Sequence, residues 1–418
     1  MSIDKHDADL ALFKAPELET ATKKLEWITV RPINQLTEGA AIEFNIAGTS
    51  LTYVDLKNLL LYVKLKIVKA DGTKLSSGAP VGLTNNALHS VFLQVDVNLQ
   101  QQPTSDVGAN YPYKAYLDTL FDCQSQHDLS CQFFIKDDAG ADMEDTDPGG
   151  TNNGLYKREK STNDSRELDL IGRLSVDVCQ QDRLILNGVP INIKLWQSSD
   201  RFRLLAKDET ESYKVVITEA ALKLASVKVD PSVLLSQEDV IKTSHALYPY
   251  NRSVIKTYAV PRGQYSFITD DVFQGEVPQQ LIVGLVESVS AHGSYIKNPF
   301  NFQHFNCHYA GFFVDGRSTP SEPLQPNYKS DHFIEAYQRL YFTRAERAVP
   351  ITRLDFKGGY CLYVFRPGGD AKDRPDERAL TRLELKFSEA LPKTCTVIVY
   401  AKFPALMKID ASRNVTLE

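Results

Sequence analysis

Cysteine is scarce and carries no pattern: Cys123, Cys131, Cys179, Cys307, Cys361 and Cys395 are scattered over 418 residues without CxxC spacing. Most sit beside apolar residues, which predicts reduced core thiols of a cytosolic or nuclear protein. Long apolar runs are absent as well. No stretch approaches the roughly 20 residues of a membrane span. The polar, acidic start over 1–12 has no signal core, so standard secretion is not expected, and the sequons at Asn163, Asn251 and Asn414 read as chance matches. Positive charge is in deficit: 47 Lys and Arg against 53 Asp and Glu give a formal charge of −6, with a pI near 5.8. This argues against strong, salt-dependent binding of a broad face to nucleic-acid phosphates. Residues 1–25 mix Lys5, Lys14, Lys23 and Lys24 with Asp4, Asp7, Asp9, Glu17 and Glu19, unlike a genome-condensing tail. Finally, no Gly-rich phosphate loop follows a strand, and no GxSxG or Cys/His nucleophile arrangement occurs. The chain therefore reads as a non-enzyme, with no catalytic, cofactor-binding or metal residue assigned.

What is present is material for well-filled cores, since 43% of the residues are apolar. Apolar and polar residues alternate at 27–31 and 41–46, the period of a half-buried strand. Further strands are predicted at 59–68, 91–99, 168–178, 183–186, 191–197 and 213–229, and then at 254–260, 265–269, 280–287, 305–315, 360–365, 381–387 and 394–403. Ala70-Asp71-Gly72-Thr73 is a hairpin-type stop. Tyr113, Tyr116, Leu117 and Leu120 recur at helical spacing and predict a helix over 111–121; a second is predicted over 332–342.

These elements repeat. Leu60-Leu61-Tyr62-Val63 lines up with Leu281-Ile282-Val283-Gly284 at a displacement of 221 (281 − 60), and the same shift carries Val91–Val95 onto Phe312–Gly316 and Lys114-Ala115-Tyr116-Leu117 onto Glu335-Ala336-Tyr337-Gln338. About eight short strands per copy predict an all-β chain of two antiparallel sandwiches, with short helices in loops and the eight-stranded jelly roll as the leading solution. The expected organisation is an arm over 1–25, a first jelly roll over 26–230, a connector over 231–246, a second jelly roll over 247–410 and a tail over 411–418. Residues 137–166, rich in Asp, Gly, Asn and Ser, have no counterpart in the second copy and read as an exposed insertion loop facing outward.

Three constellations invite chemistry. His304, Asn306 and His308 around Cys307 would share one face of a strand, but the further ligands that zinc or iron needs are missing, so a polar strand face is the reading. The acidic run Asp137, Asp138, Asp142, Glu144, Asp145 and Asp147 resembles a calcium loop but lacks the closing Glu of an EF-hand. The Asp270-Asp271 pair reads as strand-turn geometry. The 19 Tyr and 20 Phe lack interleaved Lys and Arg on the same strands, which favours core and subunit contact over base stacking.

Several words carry a family likeness: Trp27 with Arg31-Pro32, Ile42-Glu43-Phe44, Tyr53-Val54-Asp55-Leu56, Leu88-His89-Ser90-Val91-Phe92 with Gln94-Val95, and Tyr111-Pro112-Tyr113-Lys114-Ala115-Tyr116-Leu117. Gly172-Arg173-Leu174, Pro231-Ser232-Val233, Asp271-Val272-Phe273-Gln274-Gly275 with Pro278, and Asn298-Pro299-Phe300-Asn301-Phe302 continue it. Over about 27–342 the chain resembles the major capsid proteins of adintoviruses and Polinton (Maverick) elements. The resemblance implies a double jelly roll whose homotrimer is a pseudo-hexagonal, hexon-like capsomer of an icosahedral shell around double-stranded DNA. It further implies neighbouring capsomers, penton and minor capsid proteins as partners, no cofactor, and residence in the virion after assembly in the host cytoplasm or nucleus. A carbohydrate-binding β-sandwich and a jelly-roll metalloenzyme are the alternatives.

Overall fold

The computed structural model describes residues 22–105, 107–138, 143, 145–341, 347–367 and 379–418. The expected arm lies outside the described residues up to 21. Its last residues belong to the first strand. In the first half the strands are β1 (Thr22–Val30), β2 (Ile42–Ile46), β3 (Thr52–Lys69), β4 (Val81–Leu83), β5 (Phe92–Leu99), β6 (Gln102–Pro103), β7 (Leu168–Arg173), β8 (Ile191–Gln197), β9 (Leu204–Ala206) and β10 (Tyr213–Val229). The second half has β11 (Ala246–Val260), β12 (Ser266–Asp270), β13 (Gln280–Glu287), β14 (Cys307–Val314), β15 (Arg317–Ser318), β16 (Leu362–Phe365), β17 (Thr381–Phe387), β18 (Cys395–Ile409) and β19 (Val415–Leu417).

Two four-stranded sheets form in the first half, β1-β10-β3-β7 and β2-β8-β5-β6, with β4-β9 as a separate ribbon. The second half repeats the order as β11-β18-β13-β16 and β12-β17-β14-β15, with β19 added to β18. Setting aside the ribbon and β19, each half pairs its first, eighth, third and sixth strands in one sheet and its second, seventh, fourth and fifth in the other. All pairings within these sheets are antiparallel. That winding is the jelly roll, present twice.

The repeat is thus real in strand order, and Leu60 and Leu281 do lie on equivalent third strands. Its residue-level register differs from a uniform displacement of 221. Leu61, Val63 and Leu65 face the first core, so Leu60 faces outward. In the second half the Tyr258 ring meets Phe267 on the opposing sheet, and Tyr258 pairs with Val397, which pairs with Leu285; Leu281 therefore faces inward. A slip of one residue exchanges the two faces of a strand. On the fourth strand the hairpins set Leu99 opposite Gln102 and Val314 opposite Arg317, a displacement of 215 (314 − 99), six short of 221. Hairpin geometry and the pleat fix register, and similar words do not have to follow it.

The two cores exchange elements. Tyr248, Tyr250, Met407 and Ile409 from β11 and β18 complete the first core. The helix Tyr111–Asp122 of the first half places Tyr113, Tyr116, Leu117, Leu120 and Phe121 in the second. In consequence the β11-β18-β13-β16 sheet is covered on both sides, and Leu281, Ile282, Val283, Leu285 and Val286 are all 0% exposed. A continuous apolar run is what a doubly buried strand requires. β3 instead alternates, with Leu60, Tyr62 and Lys64 only half-buried on its outer side.

Several expectations need correction. The described part of 137–166 is not an exposed loop. It contains the helix Asn153–Thr162, N-capped by Asn152, whose side chain accepts from the Leu155 amide at 3.2 Å. Gly154 lies so close to the chain at Lys136 that a Cβ would fall 2.3 Å from its carbonyl oxygen. Arg158 and Asp137 are both 0% exposed and bond at 2.6 Å. A burial signal carried by one arginine rather than by an apolar stripe escapes a hydropathy reading. The strand expected over 168–178 stops at Arg173 and gives way to a short turn at Asp177–Cys179, and 183–186 contributes only a bridge from Ile185 to Val54. Within the segment read as a connector, Pro231–Ile241 is helical, started by Asp230, which accepts from the Ser232 amide at 2.8 Å, and by Pro231 in the first turn. The presumed tail forms β19.

Replacing Arg158 by Leu leaves Asp137 as an unpaired buried charge. Chemical denaturation should show a loss of about 3–5 kcal/mol. Exchanging 137–166 for a short Gly-Ser linker should abolish soluble folding, whereas an exposed loop would tolerate the exchange.

Candidate functional site: the junction between the two sandwiches

The junction is organised by the helix Tyr111–Asp122, which starts with Pro112 in its first turn and is buried from Tyr111 to Phe121. Tyr111 and Ala115 point into the first core. The opposite side carries an aromatic cluster: the Tyr116 ring stacks on Phe300 at 4.1 Å, and Tyr113 meets Phe202, Phe300 and Phe302 edge-on. Such offset and edge contacts are each worth about 0.5–1.5 kcal/mol beyond burial.

Inside this apolar frame sits a charged network. The Lys114 ammonium lies 2.6 Å from Asp118 and 3.0 Å from Asp177, with side-chain exposures of 1%, 8% and 2%. Asp118 also accepts from Ser175 Oγ at 2.5 Å and from Tyr400 Oη at 2.6 Å, the latter on β18. Asp177 accepts from the Ser253 amide at 2.7 Å and its hydroxyl at 2.9 Å, both on β11. Lys402 closes the rim by pairing with Asp122. The acids of the first sandwich are thus satisfied by donors of the second. Burial alone would push Lys114 down, but Asp118 and Asp177 hold it above its ordinary 10.5. Burial alone would raise Asp118, but Lys114 and then Lys402 hold it well below its ordinary 3.8.

A second network crosses the same seam. Besides Asp137, Arg158 donates to the carbonyl oxygens of Leu83 at 2.8 Å and Ile135 at 2.7 Å. Asp137 accepts from Asn298 at 3.2 Å through its side chain and from Tyr360 Oη at 2.9 Å through its carbonyl. Lys136 reaches Asp355 at 2.5 Å. Of these residues only Asp137 is weighed for chemistry in the sequence, as part of a calcium-like acidic run, and the structure pairs it with Arg158 instead. The signal was legible for Lys114 and Asp118, two charges four apart among the apolar residues of the helix.

The residues weighed for chemistry are not brought together. β14 begins only at Cys307, and Phe305 and Asn306 have φ of 42° and 52°, so His304 and His308 do not share a strand face. His304 stacks on Tyr328 at 4.1 Å, and burial, then the Lys357 charge, lowers it to about 4. Of the acidic run, Asp142 and Glu144 lie outside the described residues. Asp138 accepts from the Asn153 amide at the start of the Asn153–Thr162 helix, Asp145 from Thr151, and Asp147 from the Gly149 amide while pairing with Lys207 at 3.1 Å, so each has a structural partner. Asp271 accepts from the Gly275 amide, and Asp270 faces Arg382 at 3.5 Å. Among the described residues no three His, Cys, Asp or Glu side chains are placed to hold a metal ion. All six cysteines are free thiols, and burial pushes Cys179, Cys361 and Cys395 up to about 12. No helix among the described residues is long and apolar enough to cross a membrane.

These charges set a pH profile. His89, between Tyr111 Oη at 2.8 Å and Gln132 at 3.2 Å, is lowered to about 4 by burial, as is His304. The unfolded chain binds their protons first, so stability falls from the ordinary 6.5 toward 4, by about 1.4 kcal/mol per pH unit for each histidine. The Asp118 contribution is whole above 3.8 and is lost as pH falls below it; that of Lys114 is whole below 10.5 and is lost as pH rises beyond it. Urea midpoints across this range should trace both limbs. Asp118→Asn should lower the plateau by about 3 kcal/mol and flatten the loss below 3.8.

No family model matches the chain. An uncharacterized protein of Caenorhabditis elegans, F54H12.2, is 21% identical over 425 aligned positions, covering 96% of this chain and 98% of its own length. Among solved structures, the chain resembles a protein in the cryo-EM structure of the Sputnik virophage, with TM-score 0.64, 10% identity, 98% of this chain and 91% of that one covered. The mavirus major capsid protein gives 0.54, 12%, 98% and 92%, and the Faustovirus major capsid protein 0.56, 9%, 97% and 94%. Over nearly its whole length the chain therefore has the double jelly-roll fold of viral major capsid proteins.

Proposed function

We propose that the chain is a major capsid protein of the Polinton and adintovirus kind. As such it would form homotrimeric, pseudo-hexagonal capsomers of an icosahedral shell around double-stranded DNA, with penton and minor capsid proteins as further partners. One observation carries this reading: two jelly rolls of identical strand order, fused side by side through a buried charged seam, in a chain that aligns almost end to end with viral capsid proteins. Three such chains present six similar sides, and a cyclic ring of heterologous contacts closes them. The role is structural, without catalysis. Its place is the virion, after assembly in the host cytoplasm or nucleus. The fold likeness to viral capsid proteins does not favour the carbohydrate-binding alternative.

Light scattering of the purified chain should give the mass of three copies, held by interfaces well above roughly 1,200 Å² each, and electron microscopy should show hexagonal capsomers. A stable monomer at high concentration would contradict the reading.

A further inference from the structure

Four of the six cysteines are buried, and the two that are not, Cys123 and Cys131, line one cleft of about 540 Å³ beside the seam. That volume lies within the roughly 300–1,000 Å³ of sites that take small molecules. One wall is the end of the Tyr111–Asp122 helix, another is β7 at Arg173, and a third is a short helix, Gln126–Cys131. The short helix is held at both ends. Ser125 caps its start, its side chain accepting from the Asp128 amide at 3.2 Å. Just past its end Gln132 bonds His89 at 3.2 Å and lies against Gly172 of β7, where an added Cβ would come 3.5 Å from that of Gln132.

A helix places residues four apart on one face, and this one brings His127 to Cys131, with Nε2 3.5 Å from Sγ. No Cys/His nucleophile arrangement is legible in the sequence, since a spacing of four pairs the two side chains only once the segment is helical. His127 is exposed and Cys131 half-buried, so both can be reached from solvent. The other thiols are less suited to attack. Cys123 donates to the Ser125 carbonyl oxygen at 3.5 Å, and burial raises it. Burial pushes Cys307 up to about 11 and Cys179, Cys361 and Cys395 up to about 12. Around the pair, Arg173 and Asp128 line the cleft with opposite charges and no ion partner among the described residues, whereas Lys57 pairs with Asp182 and Asp122 with Lys402. A thiol attacks as its thiolate, so access and a neighbouring base decide which cysteine reacts.

We propose that this cleft is a thiol-modification site, at which Cys131, with His127 as its base, exchanges with small disulfides and carries the resulting adduct. The Cys131 proton passes to the imidazole, and the sulfur attacks one sulfur of the incoming disulfide. A new S–S bond forms as the old one breaks, and the departing thiolate takes the proton back from His127. Cys131 is oxidised and the departing sulfur reduced, so the small disulfide is the only oxidant needed. Neither the pair nor the cleft depends on the capsomer reading.

Incubated with glutathione disulfide at neutral pH, the purified full-length chain should gain one glutathionyl group, mapped by peptide mass spectrometry to Cys131 and removed by dithiothreitol. Cys131→Ser should melt as the wild type does and take up nothing, while Cys123→Ser should keep the wild-type rate. An adduct at Cys123 or at a buried cysteine, or none at all, would overturn the site. A free thiol is only a few per cent thiolate at neutral pH, so His127→Gln, at an exposed position, should slow the exchange about tenfold there. In alkaline buffer, where a thiol ionises without help, that variant and the wild type should react at the same rate. A rate lowered equally at every pH, or not lowered at all, would overturn the role of His127 as base.

Discussion

One ammonium between two carboxylates, closed off from water, holds the two halves of this molecule in a single arrangement. Taking Lys114, Asp118 and Asp177 out of water costs several kcal/mol per ion before their attraction offsets it, and the balance depends on every remaining lone pair finding a donor. Those donors come from the other sandwich: Tyr400 for Asp118, and the amide and hydroxyl of Ser253 for Asp177. An apolar seam of the same area would tolerate sliding. This one does not, because a displacement of one residue would cost Asp118 its Tyr400 donor and Asp177 both of its Ser253 donors. The demand reaches into local structure. The chain leaves β7 at Arg173 and turns at Asp177, well short of the strand expected from its alternation, and that turn carries Asp177 to Ser253.

Where side-chain period decides the structure, the sequence was legible. β8, β10, β13 and β17 run over the ranges read from alternation and apolar content, 191–197, 213–229, 280–287 and 381–387. Where a few polar atoms decide it, the reading failed. The helix Asn153–Thr162 buries Gly154, Leu155, Arg158 and Thr162, which no apolar stripe announces. Pro231–Ile241 did carry a start signal in Asp230 and Pro231, but its surface is mostly exposed, so composition made it look like a linker. The site was least legible, because a buried salt bridge and an exposed one are spelled with the same letters. Only the apolar company of Lys114 and Asp118 set them apart.

The two halves share strand order and little else, and their differences record what each face meets. β13 and β16 are apolar on both sides because a helix covers the outer one. β3, in the equivalent place, keeps Lys64 and Lys66 on its outer side. Repeated topology does not need repeated sequence: strand pairing follows hairpins and the pleat, and the displacement departs from 221 at the third strand, where it exchanges the faces, and is 215 at the fourth, without altering which strand pairs with which.

Apolar side chains on a bare edge strand are a hazard. β1 is an edge strand with Leu25, Trp27 and Ile28 all exposed, and such an edge invites indiscriminate pairing. The sheet answers with charge: Glu219 lies within 3.7 Å of Arg31 and 3.6 Å of Lys64, and Lys24 pairs with Glu26 along β1 itself. These exposed pairs add little stability. Their effect is on solubility, since an arriving strand without matching charges would desolvate them at a loss.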